Sequence, residues 1–127
     1  MSDGHILVVD DEADHRELMG GILEEMGYTV TLAENGRVAL DKLEEHLPAL
    51  VLLDLRMPVM SGWGVLEALK KMPRAKGIPV LVISGYGYEW EAELIGAAGY
   101  ISKPIDVDVL RRKVETLLGP ARVQVLH

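Results

Sequence analysis

The chain has 127 residues, of which 49% are hydrophobic, and this is the size and composition of one domain with a single core. Its formal net charge of −7 disfavours direct binding to nucleic acid or to an anionic membrane, because both would require clustered Lys and Arg. The absence of cysteine excludes a disulfide framework, a thiolate metal site and a thiol nucleophile.

The N-terminal segment does not read as a signal peptide, since no basic leader precedes its one short apolar run and no small-residue cleavage site follows it. No apolar stretch approaches the roughly 18 residues that a membrane span requires. We therefore expect a cytoplasmic protein without a membrane partner.

Short apolar runs alternate along the chain with segments of helical periodicity, and the alternation repeats five times. Three runs are solidly apolar, which is typical of strands buried on both faces of a parallel sheet. The second run alternates between apolar and polar residues, which is typical of an edge strand. The five runs are residues 6–9, 28–33, 50–53, 79–83 and 100–102.

The helical segments carry apolar residues at spacings of three and four, as from Leu18 to Met26 in the first. Their ends carry residues that start or stop helices. These are Gly27 after the first helix, Pro48 after the second, Ser61 before the third, and Asp106 and Gly119 at the two ends of the last. The pattern is (βα)5 and predicts a doubly wound, five-stranded parallel sheet with helices on both faces.

Polar residues follow or end four of the predicted strands. Asp10 and Asp11 come after the first strand, Asp54 after the third, Ser84 after the fourth and Lys103 after the fifth. Function in open α/β sheets collects at the carboxyl ends of the strands, near the point where the strand order reverses. We therefore expect these side chains to meet at one edge of the sheet.

The grouped side chains suit a magnesium-dependent phosphoryl site. Mg²⁺ prefers carboxylate oxygens, so Asp11 and Asp54 could hold it, with Asp10 bound directly or through water. A carboxylate can also act as the nucleophile and form an aspartyl-phosphate, and Asp54 is the best candidate because a buried strand fixes it. Mg²⁺, the Lys103 ammonium and the Ser84 hydroxyl could together neutralise the charge on the phosphoryl oxygens.

Each of these residues also has a structural explanation. Asp10 and Asp11 could serve simply to cap the next helix, Lys103 could be a solvated surface residue, and Ser84 could be a turn residue. Asp54 is harder to explain in this way, since an ionisable group within a buried strand is costly without a partner. Glu12 is expected to be an ordinary first-turn helix residue. The four histidines are scattered along the chain, which disfavours a histidine metal site.

Four motifs give the sequence a specific resemblance to the receiver domain of two-component response regulators. They are LVVDDE (7–12), LLDLRMPVMSG (52–62), VLVISG (80–85) and GYISKP (99–104), and the resemblance covers residues 6–118. It implies a flavodoxin-like fold with strand order 2-1-3-4-5. It also divides the chain into a receiver domain, residues 1–119, and a C-terminal tail or start of a linker, residues 120–127.

The resemblance implies that Asp54 is the phosphoacceptor and receives a phosphoryl group from a phosphohistidine. The donor would be a sensor histidine kinase or a histidine phosphotransfer protein. Mg²⁺ would be held by the side chains of Asp11 and Asp54, by Asp10 through water and by the backbone carbonyl of Arg56. Lys103 would bind the phosphoryl group.

The same resemblance assigns the switch residues. Ser84 matches the switch Ser/Thr, and Tyr100 matches the aromatic residue that changes rotamer in response. Their movement would remodel the face formed by the fourth helix, fifth strand and fifth helix for an output partner or output domain. The peptide bond joining Lys103 to Pro104 would be cis. The segment of residues 84–96 is about one helical turn shorter than is usual in receivers, so the fourth helix is expected to be short.

Two other functions combine the same groups. A magnesium-dependent phosphohydrolase of the haloacid-dehalogenase kind would require a second acid two residues after its nucleophile, where this chain has Arg56, and room for a substrate cap. A pseudo-receiver would bind partners without being phosphorylated, but every expected acid, hydroxyl and lysine is present. We therefore predict a phosphoacceptor domain of bacterial-type signalling that is not an enzyme and assists only its own phosphorylation and dephosphorylation at Asp54.

Overall fold

The computed structural model describes residues 4–55, 62–85 and 96–119. The predicted fourth helix and the predicted cap Ser61 lie outside these residues, so the last helix within the described ranges is labelled α4. The elements are β1 (His5–Val9), α1 (Ala13–Glu25), β2 (Thr29–Ala33), α2 (Gly36–Glu45), β3 (Leu50–Asp54), α3 (Gly62–Lys70), a short 3₁₀ helix (Pro73–Ala75), β4 (Val80–Ser84), β5 (Gly99–Ser102) and α4 (Val107–Leu118).

All five strands form one parallel sheet in the order β2-β1-β3-β4-β5, which confirms the predicted fold and strand order. Strand β1 pairs with β2 on one side and with β3 on the other, with Val9 opposite both Ala33 and Leu53. The strand order therefore reverses at β1, and ligands of open α/β sheets bind beyond the carboxyl ends of the strands at such a point.

The burial of the strands follows their composition. Every residue of β1, β3 and β4 is buried, whereas the edge strand β2 exposes Thr29 and Leu32. One apolar layer packs α2 and α3 against the sheet, and a second packs α1 and α4 against its other face. Within the described ranges, no helix has both the length and the apolar character needed to cross a membrane.

Capping residues lie at three of the predicted positions, one at the start of a helix and two after the ends of helices. The Asp106 carboxylate accepts hydrogen bonds from the backbone N–H groups of Asp108 and Val109, at 2.9 and 3.3 Å, where α4 begins. Gly27 and Gly119 follow α1 and α4 with φ of 100° and 78°, in the left-handed region that favours glycine. Gly27 thereby allows the chain to turn from α1 into β2.

Candidate functional site

The carboxyl ends of four strands bring the predicted site residues to one edge of the sheet. Asp10 directly follows β1, Asp54 and Ser84 are the last residues of β3 and β4, and Lys103 directly follows β5. Strands β3 and β4 are adjacent, with Asp54 opposite Ile83 in the register. The fold itself therefore supplies the grouping.

Lys103 is the cation at the centre of this group. Its Nζ donates a hydrogen bond of 3.1 Å to Asp54 Oδ2 and lies 3.4 Å from Asp10 Oδ2. Burial lowers the pKa of Lys103, but the charges of Asp10 and Asp54 and the hydrogen bond to Asp54 outweigh it, so the pKa is raised above its ordinary value. The ammonium is therefore charged at neutral pH.

Three carboxylates lie close to one another at this edge of the sheet. One oxygen each from Asp10, Asp11 and Asp54 lies within 4.8 Å of the other two. Asp10 and Asp54 are buried, whereas Asp11 is exposed. Two carboxylates 4 Å apart repel by about 4 kcal/mol at the effective dielectric of a protein surface. One lysine offsets only part of this repulsion, so the cluster favours a further cation.

Three contacts fix Asp10 at the end of β1. Its Oδ1 accepts a hydrogen bond of 2.9 Å from the Glu12 backbone N–H, and its own N–H donates to the Ala33 carbonyl at 3.1 Å. The Arg16 guanidinium donates to the Asp10 carbonyl at 2.8 Å. The remaining oxygen, Oδ2, is buried and accepts no hydrogen bond from any described residue, with Lys103 at ion-pair distance.

Ser84 connects the cluster to Tyr100. Its side chain is fully buried, and Oγ has no hydrogen-bond partner within the ranges that the structure describes. Its carbonyl accepts a hydrogen bond of 2.8 Å from the Lys103 N–H and a longer one of 3.4 Å from the Tyr100 hydroxyl. The Lys103–Pro104 peptide bond is cis, as the resemblance implied.

Gly62 allows α3 to begin against the backbone of the central acid. A Cβ at this position would lie 2.5 Å from the Asp54 carbonyl oxygen and 2.7 Å from Leu55 Cα, closer than real Cβ atoms come. The Gly62 N–H also donates to the Leu55 carbonyl at 3.0 Å. The glycine that ends the second motif of the sequence is therefore required by close packing.

The expectation for Glu12 was wrong. Glu12 is the N-cap of α1, and its Oε1 lies 2.7 Å from His15 Nδ1 and 3.6 Å from Lys103 Nζ. A third acid directly before a helix was the available signal, because a side chain at a cap can fold back over the preceding strand end. Arg56, expected to supply a magnesium ligand through its carbonyl, lies outside the described residues.

Comparisons with known proteins identify the family. The profile of the response regulator receiver domain matches residues 6–115. The polar-differentiation response regulator DivK of Brucella anthropi is 33% identical over 119 residues, covering 91% of this chain and 97% of that protein. The crystal structure of the NtrX receiver domain from Brucella abortus is 36% identical with a TM-score of 0.81, covering 89% of this chain and 97% of that one. The chain belongs to the response regulator receiver domain family of two-component signalling.

The relatives differ greatly in length. The transcriptional regulatory protein ZraR of Escherichia coli (strain K12) is 40% identical over 117 residues, which are 90% of this chain but 26% of that protein. The chain thus spans about a quarter of that regulator and nearly all of DivK. What is common to them is the receiver, a signalling domain.

Proposed function

We propose that this receiver domain accepts a phosphoryl group on Asp54 from a phosphohistidine of a sensor histidine kinase or a histidine phosphotransfer protein. The observation that carries the proposal is the distance of 3.1 Å between Lys103 Nζ and Asp54 Oδ2. A buried carboxylate at a strand end is a suitable nucleophile, and the adjacent ammonium can neutralise the group that it receives. Membership of the receiver family supports the same chemistry.

The transfer uses side chains at three strand ends. An Asp54 oxygen attacks the phosphorus, and the bond to the imidazole nitrogen breaks while the new P–O bond forms. The Lys103 ammonium offsets the charge on the phosphoryl oxygens. The Ser84 hydroxyl has no partner among the described residues and is available to donate to one of those oxygens.

Asp10, Asp11 and Asp54 would hold Mg²⁺, with the backbone carbonyl of Arg56 completing the set. The fit rests on oxygens within 4.8 Å of one another and on the buried Asp10 Oδ2, which accepts no hydrogen bond from the described residues. Carboxylates are the ligands that Mg²⁺ prefers. When bound, the ion supplies positive charge against the acids and the phosphoryl oxygens.

Phosphorylation would then shift a two-state equilibrium. Ser84 would move toward the phosphoryl group, and Tyr100 would respond because its hydroxyl donates to the Ser84 carbonyl. The change would remodel the surface formed by β5, α4 and the helix expected between β4 and β5. An output partner or output domain would bind this surface. The chain would not turn over an outside substrate or bind nucleic acid or membrane directly.

We assign residues 1–119 to the receiver and residues 120–127 to a tail or the start of a linker. We place the domain in the cytoplasm, where sensor kinases present their phosphohistidine. The end of α4 at Leu118, with Gly119 as its cap, supports this assignment.

The test is incubation with acetyl phosphate and Mg²⁺, followed by intact mass spectrometry. One added phosphoryl group is expected, lost in Asp54→Asn and lost with a chelator. Asp41→Asn is the matched control, because Asp41 is an exposed acid of α2. An unmodified protein that still binds Mg²⁺ would contradict the proposal in favour of a pseudo-receiver. Sustained turnover of phosphate esters would contradict it in favour of a phosphohydrolase.

A further inference from the structure

We propose that Asp10, Glu12 and His15 form a second divalent metal site, suited to a transition metal such as Zn²⁺ rather than to Mg²⁺. One carboxylate oxygen from each acid and one ring nitrogen of His15 lie within 4.8 Å of one another. The site stands where β1 passes into α1 and shares Asp10 with the proposed magnesium site.

The imidazole and the Glu12 carboxylate already face each other. Glu12 Oε1 lies 2.7 Å from His15 Nδ1, yet this nitrogen is shielded from solvent and the contact lacks hydrogen-bond alignment. Two ligands of a tetrahedral Zn²⁺ at about 2.1 Å each stand roughly 3.4 Å apart. Metal binding therefore requires these two atoms to move slightly apart. The Glu12 and His15 side chains are 58% and 37% exposed, so they have room for this movement.

The third ligand is the buried one. Asp10 Oδ2 is shielded from solvent and accepts no hydrogen bond within the described ranges, and its cation neighbour Lys103 stands back at 3.4 Å. The same ammonium lies 3.6 Å from Glu12 and 3.1 Å from Asp54, so it is divided among three acids. A fully buried carboxylate oxygen with so incomplete a set of partners is a ready ligand for a second cation.

The local charge favours a cation at this point. Four carboxylates crowd this corner against two cations, and the positive end of the α1 dipole adds only about half a charge to the latter. The acids are Asp10, Asp11, Glu12 and Asp54, and the cations are Lys103 and Arg16. A net negative charge therefore remains.

The imidazole decides which cation the site selects. Mg²⁺ binds oxygen and keeps several waters, whereas an imidazole with carboxylates suits Zn²⁺, Ni²⁺ and Cu²⁺. Because Asp10 is shared, Zn²⁺ would weaken Mg²⁺ binding and thereby phosphorylation. That effect on phosphorylation rests on the proposed function, whereas binding of Zn²⁺ through His15 does not.

The test is calorimetric titration of ZnCl₂ into the full chain without Mg²⁺, together with NMR of the ring nitrogens of ¹⁵N-labelled histidine. The His15 ring nitrogens should shift with Zn²⁺ and not with Mg²⁺. His15→Gln and Glu12→Gln should each weaken Zn²⁺ binding at least tenfold. His46→Gln is the matched control, because it removes an exposed imidazole next to His5 at the other end of β1, and it should change the affinity less than twofold.

Two results would overturn the site: His15 ring nitrogens that stay unmoved at saturating Zn²⁺, or a His15→Gln variant that binds Zn²⁺ as tightly as the parent. The Zn²⁺ titration and the acetyl phosphate reaction, carried out on the same protein, separate this proposal from the previous one. Unmoved His15 resonances in a protein that forms the Asp54 adduct refute only the second metal site. A protein that binds Zn²⁺ through His15 but never forms the adduct refutes only the phosphoacceptor function.

Discussion

The ammonium of Lys103 lies 3.1 Å from the carboxylate of Asp54, a residue 49 positions earlier in the chain. It lies 3.4 Å from Asp10 as well, and both acids are buried. One cation from the end of β5 thus compensates acids from β3 and from β1. The contact links three strand ends, so it bears on the stability of the fold as well as on the chemistry of the site.

Lys103→Met should destabilise the protein when Mg²⁺ is chelated. The change leaves two buried carboxylates without their cation, and breaking such a pair from one side costs about 3 to 5 kcal/mol. Urea unfolding in EDTA measures the loss, and added Mg²⁺ should restore part of it by binding the folded state. Lys113→Met removes an exposed lysine of α4 and is the control. Equal stability of the two variants would refute the prediction.

Gly62→Ala should lower the free energy of unfolding by about 1 to 3 kcal/mol, as expected of an overpacked site. The added methyl group would lie 2.5 Å from the Asp54 carbonyl oxygen, so backbone must move. Gly21→Ala is the control, because a Cβ there meets nothing within 4 Å and α1 gains a better helix former. Urea unfolding compares them, and a Gly62→Ala variant as stable as Gly21→Ala would contradict the close approach.

Acid should weaken the fold through His5. Burial, and then the neighbouring His46, lower the pKa of His5 below its ordinary value of 6.5. Between the two pKa values the unfolded chain binds more protons, so this contribution to stability is complete above 6.5 and is lost as the pH falls toward the lowered folded pKa.

The comparison variant for this pH dependence is His5→Gln. Glutamine retains a group able to hydrogen-bond the Thr31 hydroxyl, which lies 2.6 Å from His5 Nε2, but it does not titrate. Urea unfolding between about pH 7.5 and pH 5 should show a smaller loss of stability in this variant than in the parent. Parallel curves for the two proteins would exclude His5 as the source.

Tyr28→Phe should loosen the end of α4. The buried Tyr28 hydroxyl donates a hydrogen bond of 2.9 Å to the Gly119 carbonyl, and removing it costs about 1 kcal/mol. Hydrogen exchange of backbone amides provides the measurement, since those of the last turn of α4 should exchange faster while those of α1 stay unchanged. Uniform acceleration across both helices would indicate a global effect instead.

Much of the fold was predictable because two periodicities and a few capping residues determine it. The predicted strands differ from the observed ones by a residue at their ends, as where β1 begins at His5 because His5 pairs with Thr29. Leu18 belongs to the apolar pattern of α1 but is 47% exposed, since it lies at the border of the buried stripe. Spacing alone does not say where a stripe ends.

The site was predictable only as far as the strands deliver it. Asp10, Asp54 and Lys103 meet because the carboxyl ends of parallel strands share an edge. The positions of Glu12 and His15 depend instead on where α1 begins and on how side chains fold back over Lys103. A sequence pattern locates the start of a helix only to within one or two residues. The contact of Glu12 with Lys103 could therefore not be predicted from it.

Strand β1 has a histidine at one end and the acid cluster at the other. His5 is its first residue and Asp10 directly follows its last, so about 16 Å of extended chain separate them. The lowered pKa of His5 has two local causes, burial and the neighbouring His46, and neither involves the acid cluster. The acid tolerance of the fold can therefore change by substitution at His5 without altering the charges around Asp54.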